Sequence, residues 1–189
     1  MSLVPAFEIG LWNAWIFMIW LLIPSFLEPL NIIPKGREER DDLTAEFNKM
    51  QKIAFTSLHI IYLLSLIYSI FVPLKLGSVW FYAGLPIYLL ALIPYAMVWV
   101  GFATTPPDKL VTKGIYRYSR HPMHLSQFPI FVGVGIATAS WVFLLIAVVY
   151  TIMLLLQVGT EERHCLKVYG DAYREYMNRT PRWLGIPKS

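Results

Sequence analysis

Arg120-His121-Pro122-Met123-His124 opens a run of 40 residues, 121 to 160, that contains no Asp, Glu, Lys or Arg, and Glu161-Glu162-Arg163-His164 closes it. At ~1.5 Å per residue one straight helix of this length would measure about 60 Å, roughly twice the hydrocarbon thickness of a bilayer. The run must therefore fold back. Thr138-Ala139-Ser140-Trp141, near its middle, is the expected turn. It leaves one span over about 122–137 and another over about 141–159. Gly133 and Gly135 offer small surfaces for close helix packing. His121 and Glu161 stand at the two open ends of the hairpin, so topology alone makes them neighbours at roughly ~8–10 Å, before their side chains reach inward.

Upstream, three more uncharged stretches have the length of a span. Residues 9–27 lie between Glu8 and Glu28 and include Trp12, Trp15 and Trp20, residues that anchor at headgroup level. Pro24 should bend this first span near its end. It is expected to be a span rather than a cleaved leader, because no Lys or Arg precedes Lys35. Residues 53–74 form the second, with His59 inside it as an intramembrane candidate. A tight turn at Lys75-Leu76-Gly77-Ser78 leads to the third, about 79–101, where Pro86 and Pro94 each remove a backbone donor and should kink the helix. Between the first two spans, Leu43, Phe47 and Met50 recur at helical spacing among charges, which predicts an interfacial amphipathic helix at about 38–50. After Glu161 a polar tail is expected to be helical to about Met177.

Composition agrees with this layout. Only 15% of the residues are charged and 57% are hydrophobic, against about 25% charged in a soluble domain. The fold class is all-α, a polytopic membrane protein of five transmembrane helices in which spans four and five form a helical hairpin. Five spans put 15 of the 16 Lys and Arg on one side, with Lys75 alone on the other. The positive-inside bias then sets the N-terminus outside and the C-terminus in the cytoplasm. Residues 1–103 hold spans one to three. Residues 104–189 hold the loop, the hairpin and the cytoplasmic tail. The basic residues form no aromatic-interleaved stripe, so no nucleic acid is expected. A single cysteine, Cys165, excludes an intrachain disulfide and a multi-cysteine metal centre.

Two polar islands meet at the cytoplasmic end of the hairpin. Pro122 suits the first turn of a helix, whose free N–H groups favour an anion. His121 and His124 are three apart and share a face. Glu161 offers an acceptor for a hydroxyl or amino group, and Tyr116 and Tyr118 offer ring faces. Together these groups suit a small zwitterion carrying an aromatic base. The structural alternatives are a capped helix start and an ion-pair tie between Arg120 and Glu161. A metal set of His121, His124, Glu161 and His164 is disfavoured, because His at i and i+3 beside a helix-starting proline fits a rigid zinc site poorly. No metal is expected.

Leu110-Val111-Thr112-Lys113-Gly114-Ile115-Tyr116, Arg120-His121-Pro122, Glu161-Glu162, Tyr169-Gly170-Asp171-Ala172-Tyr173-Arg174-Glu175-Tyr176 and Pro181, in this order and with a hairpin between them, resemble the C-terminal half of the isoprenylcysteine carboxyl methyltransferases. Phospholipid methyltransferases share the pattern. The resemblance covers about residues 104–182 and implies S-adenosylmethionine as methyl donor, taken from the cytoplasm into a pocket at the membrane face. Carried over by position, it implies cofactor contacts at Lys109, Leu110, Val111, Tyr116, His121, Pro122, Met123, His124 and Glu161. Two positions depart from the family pattern. His124 stands where the family has Tyr. Gln157 stands where the isoprenylcysteine enzymes have an Arg for the substrate carboxylate, so it is the substrate-facing candidate, and a neutral amide cannot pair a carboxylate's charge.

The implied activity is methyl transfer to a lipophilic acceptor, a prenylcysteine-type carboxylate or a lipid, drawn from the bilayer with membrane lipids as partners. Glu161 and His124 are the catalytic candidates for any proton that must leave the acceptor. Two alternatives compete. One is an NADPH-dependent membrane sterol or enone reductase, whose members have a similar Arg-His-Pro segment but more spans. The other is a non-catalytic membrane subunit or transporter, which would more naturally place charges inside its spans.

Overall fold

The structure, a computed structural model, describes residues 8–22, 47–106 and 109–187. Helix α1 is short, Trp15–Met18, and runs into a 3₁₀ turn, Ile19–Leu21. Helices α2 (Lys49–Ile70) and α3 (Val79–Thr104) follow. A 3₁₀ turn at Gly114–Arg117 precedes α4 (Pro122–Ala137), α5 (Trp141–Tyr169) and α6 (Asp171–Arg179). The described residues contain no strand, only an isolated bridge between Asn13 and Pro73. The all-α expectation therefore holds, and α2, α3 and α5 are long and apolar enough to cross a membrane.

Helices α2, α3 and α5 start where a side chain takes over an orphan amide of the first turn. Asn48 accepts from the Gln51 backbone N–H at 2.9 Å while the Gln51 side chain accepts from the Asn48 N–H at 2.9 Å, a reciprocal capping box. This box sets the start of α2 at Lys49, one turn before the uncharged stretch. Ser78 and Ser140 cap α3 and α5 in the simpler way. Thr104 ends α3, and Pro106 follows shortly after.

The N-terminal stretch corrects the expected first span. Residues 9–14 are not helical, because Trp12 and Ala14 pair their backbones with Leu74 and Val72 at 2.9 and 2.8 Å. Asn13 holds this arrangement from the inside. Its side-chain amide donates to the Ile70 carbonyl at 2.7 Å, an orphan of the last turn of α2, and to the Glu8 carbonyl. The remainder of that span beyond residue 22, with its Pro24 bend, lies outside the described residues. So does most of the interfacial helix of about 38–50; of its described residues, Phe47 and Asn48 precede α2 and Lys49 and Met50 belong to it.

Helix α4 begins and ends where the sequence places span four, but its 16 residues give only about 24 Å. That is short of the ~20 residues a full crossing needs. Instead it is packed among its neighbours, with nine of its residues buried. Glycines let α3 and α4 approach. A Cβ on Gly84 would stand 2.3 Å from the Ala137 nitrogen, and one on Gly133 would stand 2.8 Å from Tyr88. Gly135 does the same toward α5, where a Cβ would meet Leu144 at 2.8 Å. The link from α4 to α5 is the turn Thr138–Ser140, closed by Ser140 N–H on the Gly135 carbonyl at 2.8 Å, with Ala139 left-handed at φ 52°.

The polar tail is helical through Met177, as expected, but in two pieces. Helix α5 runs through the charged residues to Tyr169 and stops at Gly170, whose φ of 54° suits glycine. Helix α6 then turns Tyr173 and Tyr176 inward. Two cores result. The larger joins Phe17, Met18, Tyr88, Tyr95, Phe131, Phe143 and Tyr150 between the long helices. The smaller joins Val98, Tyr116, Tyr173 and Tyr176, and Met123 packs against both.

Candidate functional site

The smaller core supports the loop 114–121. The Tyr176 hydroxyl donates to the Tyr116 carbonyl at 2.7 Å and lies 3.3 Å from that of Ser119. Ser119 in turn accepts from the His121 backbone N–H at 3.0 Å. The loop thus delivers His121 to the start of α4, with Pro122 at the first helical position.

On α5 the two glutamates face different partners. Glu161 Oε2 lies 3.4 Å from His121 Nδ1, and Glu161 Oε1 lies 3.6 Å from His124 Nε2. Glu162 receives Arg120 at 3.2 Å, His121 Nε2 at 3.3 Å and Arg182 on both oxygens, at 3.1 and 2.5 Å. The expected tie from Arg120 to Glu161 is therefore corrected: Arg120 pairs with Glu162. Rotation explains it, since successive residues on a helix point about 100° apart. His121 is wedged between both carboxylates and buried.

These glutamates lie beyond the uncharged part of α5. Burial alone raises the pKa of Glu161, but the charge of His124 and hydrogen bonds from His121 and His124 outweigh it and hold the carboxyl well below the usual range. Glu162 is also lowered. There too burial opposes the shift, and the Arg182 hydrogen bond and Arg120 charge overcome it. Burial, then the neighbouring Tyr176 and Glu161, push the Tyr116 phenol up, so it remains a neutral donor.

The structure brings His121, Pro122, Met123, His124 and Glu161 together. Tyr116 is buried beneath them, with its ring 5.9 Å from Phe102 in an edge-on contact, which leaves it less ring face than the sequence suggests. Tyr118 is exposed. Leu110 and Val111 pack against the smaller core, while Lys109 is exposed. Gln157 is buried one turn before Glu161, its amide donating to the Met153 carbonyl at 3.3 Å. His59 is exposed and bonded to the Phe55 carbonyl of its own helix at 2.8 Å.

Among the described residues, His121, His124 and Glu161 form a group whose ligand atoms all lie within 4.8 Å of one another, without His164. The donor set is chemically able to hold a metal ion, but both ring nitrogens of His121 already face carboxylate oxygens. That leaves Glu161 and His124 as the members of the set with capacity for a further partner. His124 Nδ1 is buried without a hydrogen-bond partner among the described residues, as are Arg120 Nε and Nη1. The carboxylate of Glu161 is about one-quarter exposed. An acceptor and an unclaimed imidazole nitrogen are therefore available side by side.

Sequence reasoning missed two members of this neighbourhood, Arg182 and Trp183. Trp183 sets its ring 5.9 Å from that of His121. Their only signal was an Arg-Trp pair following Pro181.

Residues 94–172 match the family model described as phospholipid methyltransferase. A methanethiol S-methyltransferase of Bradyrhizobium diazoefficiens is 36% identical over 80 residues, 42% of this chain and 27% of that protein. A protein-S-isoprenylcysteine O-methyltransferase of Schizosaccharomyces pombe is 34% identical over 79 residues, 41% of this chain and 33% of that protein. A methanethiol S-methyltransferase of Crocosphaera subtropica is 32% identical over 75 residues, 40% of this chain and 29% of that protein. The chain thus spans about a third or less of the length of these curated relatives. The segment 94–172, which carries His121, His124 and both glutamates, is thus the part of the chain that is similar to phospholipid methyltransferases, and the relatives it matches include an isoprenylcysteine methyltransferase, as the sequence resemblance implied.

Proposed function

We propose that the protein is an integral membrane methyltransferase that uses S-adenosylmethionine and methylates a lipophilic acceptor at the cytoplasmic membrane face. The observation that carries this is the contact of His121 with Glu161, 3.4 Å apart, at the end of two apolar helices and inside the family-matched segment. The distribution of basic residues supports a cytoplasmic site and five crossings. Helix α4 is then a short crossing enclosed by protein, with the N-terminus outside and the C-terminus in the cytoplasm. Residues 104–189 hold the methyl donor, and residues 1–103 supply the bilayer-facing side by which the acceptor arrives.

The cofactor supplies an already activated methyl group, so the chain's task is mostly alignment and exclusion of water. Glu161, kept ionised by its histidines, accepts hydrogen bonds from hydroxyl or amino groups of the ligand. The same low proton affinity makes it a weak base. His124, whose Nδ1 has no hydrogen-bond partner among the described residues, is the better group to take a proton from an acceptor that must lose one, and it does so from its neutral form, with Nε2–H kept toward Glu161. Relatives are named for methanethiol and for protein-S-isoprenylcysteine. The neutral, buried Gln157 favours an acceptor without a carboxylate, such as a thiol on an apolar chain.

Calorimetric titration of the purified protein in detergent with S-adenosylmethionine, S-adenosylhomocysteine and NADPH tests the reading. Binding of the first two is expected. No heat from either at saturating concentration ends it, and binding of NADPH alone would turn the assignment to a reductase.

A further inference from the structure

The segment Pro181–Gly185 lies beyond the family-matched residues and is tied to the site at four points. The Arg120 backbone N–H donates to the Pro181 carbonyl at 3.1 Å, and the Gly185 N–H donates to the Tyr118 carbonyl at 3.0 Å. The Ser119 hydroxyl lies 3.3 Å from the Arg182 carbonyl. The Arg182 guanidinium grips Glu162 through two nitrogens. Between these ties Trp183 sets its ring against His121.

The two ends differ in burial. Glu162 and His121 are almost fully buried, whereas the Arg182 side chain is about half exposed and Trp183 is 37% exposed. The strap therefore forms the solvent side of the cluster and carries no apolar core of its own. A short segment held by a few partly exposed hydrogen bonds opens at low free energy compared with the helices beneath it. Two charge-assisted bonds are its strongest hold.

We propose that Pro181–Gly185 is a detachable roof of the ligand site, in which Trp183 contacts the bound methyl donor and Arg182 latches the strap to Glu162. This rests on the methyltransferase reading above. A soluble ligand enters when the Arg182 latch, the Ser119 hydroxyl bond and the two backbone bonds release. Once the ligand is in place, the indole covers it and excludes water on the His121 side. A large indole that stays more than one-third exposed beside a buried imidazole has area left to give to a ligand. The roof acts mainly on escape, so its removal speeds dissociation, whereas association, which proceeds through the open strap in any case, changes less.

The test is stopped-flow measurement of S-adenosylhomocysteine association and dissociation on the full chain in lipid nanodiscs, for wild type, Trp183→Ala, Trp183→Phe and Arg182→Gln. The expected result is dissociation about tenfold faster in Trp183→Ala and several-fold faster in Arg182→Gln, with association changed less than about threefold and Trp183→Phe near wild type. Wild-type dissociation in both Trp183→Ala and Arg182→Gln, with binding retained, overturns the roof while leaving the methyltransferase reading intact. Should wild type bind no S-adenosylhomocysteine, both fall. If Trp183→Ala does not purify as a folded protein, Arg182→Gln decides, since it keeps the indole and removes only the latch.

Discussion

Glu161 and Glu162 are adjacent on α5 yet take different partners: among the described residues Glu161 meets His121 and His124, and Glu162 meets Arg120, Arg182 and His121. Glu162 thus holds the structure, and Glu161 keeps capacity for a ligand. The two should separate on mutation. Glu162→Ala leaves the buried Arg120 without its counter-charge and should destabilise the fold by roughly 3–5 kcal/mol. Glu161→Ala should lower S-adenosylhomocysteine affinity at least about tenfold with a smaller loss of stability. Thermal unfolding in detergent beside calorimetric titration checks both, and equal effects of the two substitutions on both measurements would contradict the division.

Acid should undo this end of the molecule first. Both carboxyls have folded pKa values below the ordinary 4.5, so the unfolded chain binds protons before the folded one does. Their contribution is fully present above the ordinary carboxylate range and is lost as pH falls below it toward the folded values. Melting temperature should therefore hold steady near neutrality and drop below about pH 4.5. In Glu162→Gln that acid limb should be shallower. An acid limb of unchanged slope in the variant would show that these carboxyls do not carry it.

The spacing of two apolar runs around a turn made the meeting of His121 and Glu161 legible before any coordinates, because a hairpin has only one way to close. The boundaries of α4 at Pro122 and Ala137 were equally readable, since a proline and a turn mark them. The short reach of α4 was not, because uncharged length does not reveal that a helix is enclosed by others rather than by lipid. Asn13 was illegible for a different reason. Its value is in holding the Ile70 carbonyl, 57 positions away, and nothing local marks such a pairing. The choice of Glu162 over Glu161 by Arg120 depends on helix rotation, which a motif match does not fix. Trp183 sits on an irregular strap without periodicity, so its contact with His121 left no pattern to read.

Gly84 and Gly133 hold α3 and α4 at a distance that no other residue tolerates. A Cβ at Gly84 would fall 2.6 Å from the Gly133 carbonyl oxygen, which is backbone and cannot swing aside. Gly84→Ala and Gly133→Ala should each cost about 1–3 kcal/mol or more from overpacking. Gly159→Ala is the matched comparison. Its Cβ would meet only the end of the Arg163 side chain at 3.8 Å, so it should be neutral or stabilising by up to about 1 kcal/mol through helix propensity. Detergent melting curves of the three variants, ranked against wild type, check the contrast. A Gly84→Ala protein as stable as Gly159→Ala would mean that the two helices are not in this close register.

Gln157 offers the most direct handle on the acceptor. It is buried one turn before Glu161, where the resemblance to isoprenylcysteine enzymes puts an arginine, and a guanidinium binds a carboxylate by two parallel bonds that an amide cannot supply. If Gln157 selects an uncharged acceptor, Gln157→Arg should move the preference toward carboxylates. Radiolabelled methyl transfer to a farnesylcysteine carboxylate should then rise relative to transfer to a long-chain alkyl thiol, by about tenfold in the ratio of the two. Using a ratio cancels any general loss from burying a charge, which would lower both rates together. A ratio unchanged from wild type, in a variant that still transfers methyl to one of the two, would remove Gln157 from the acceptor side of the site.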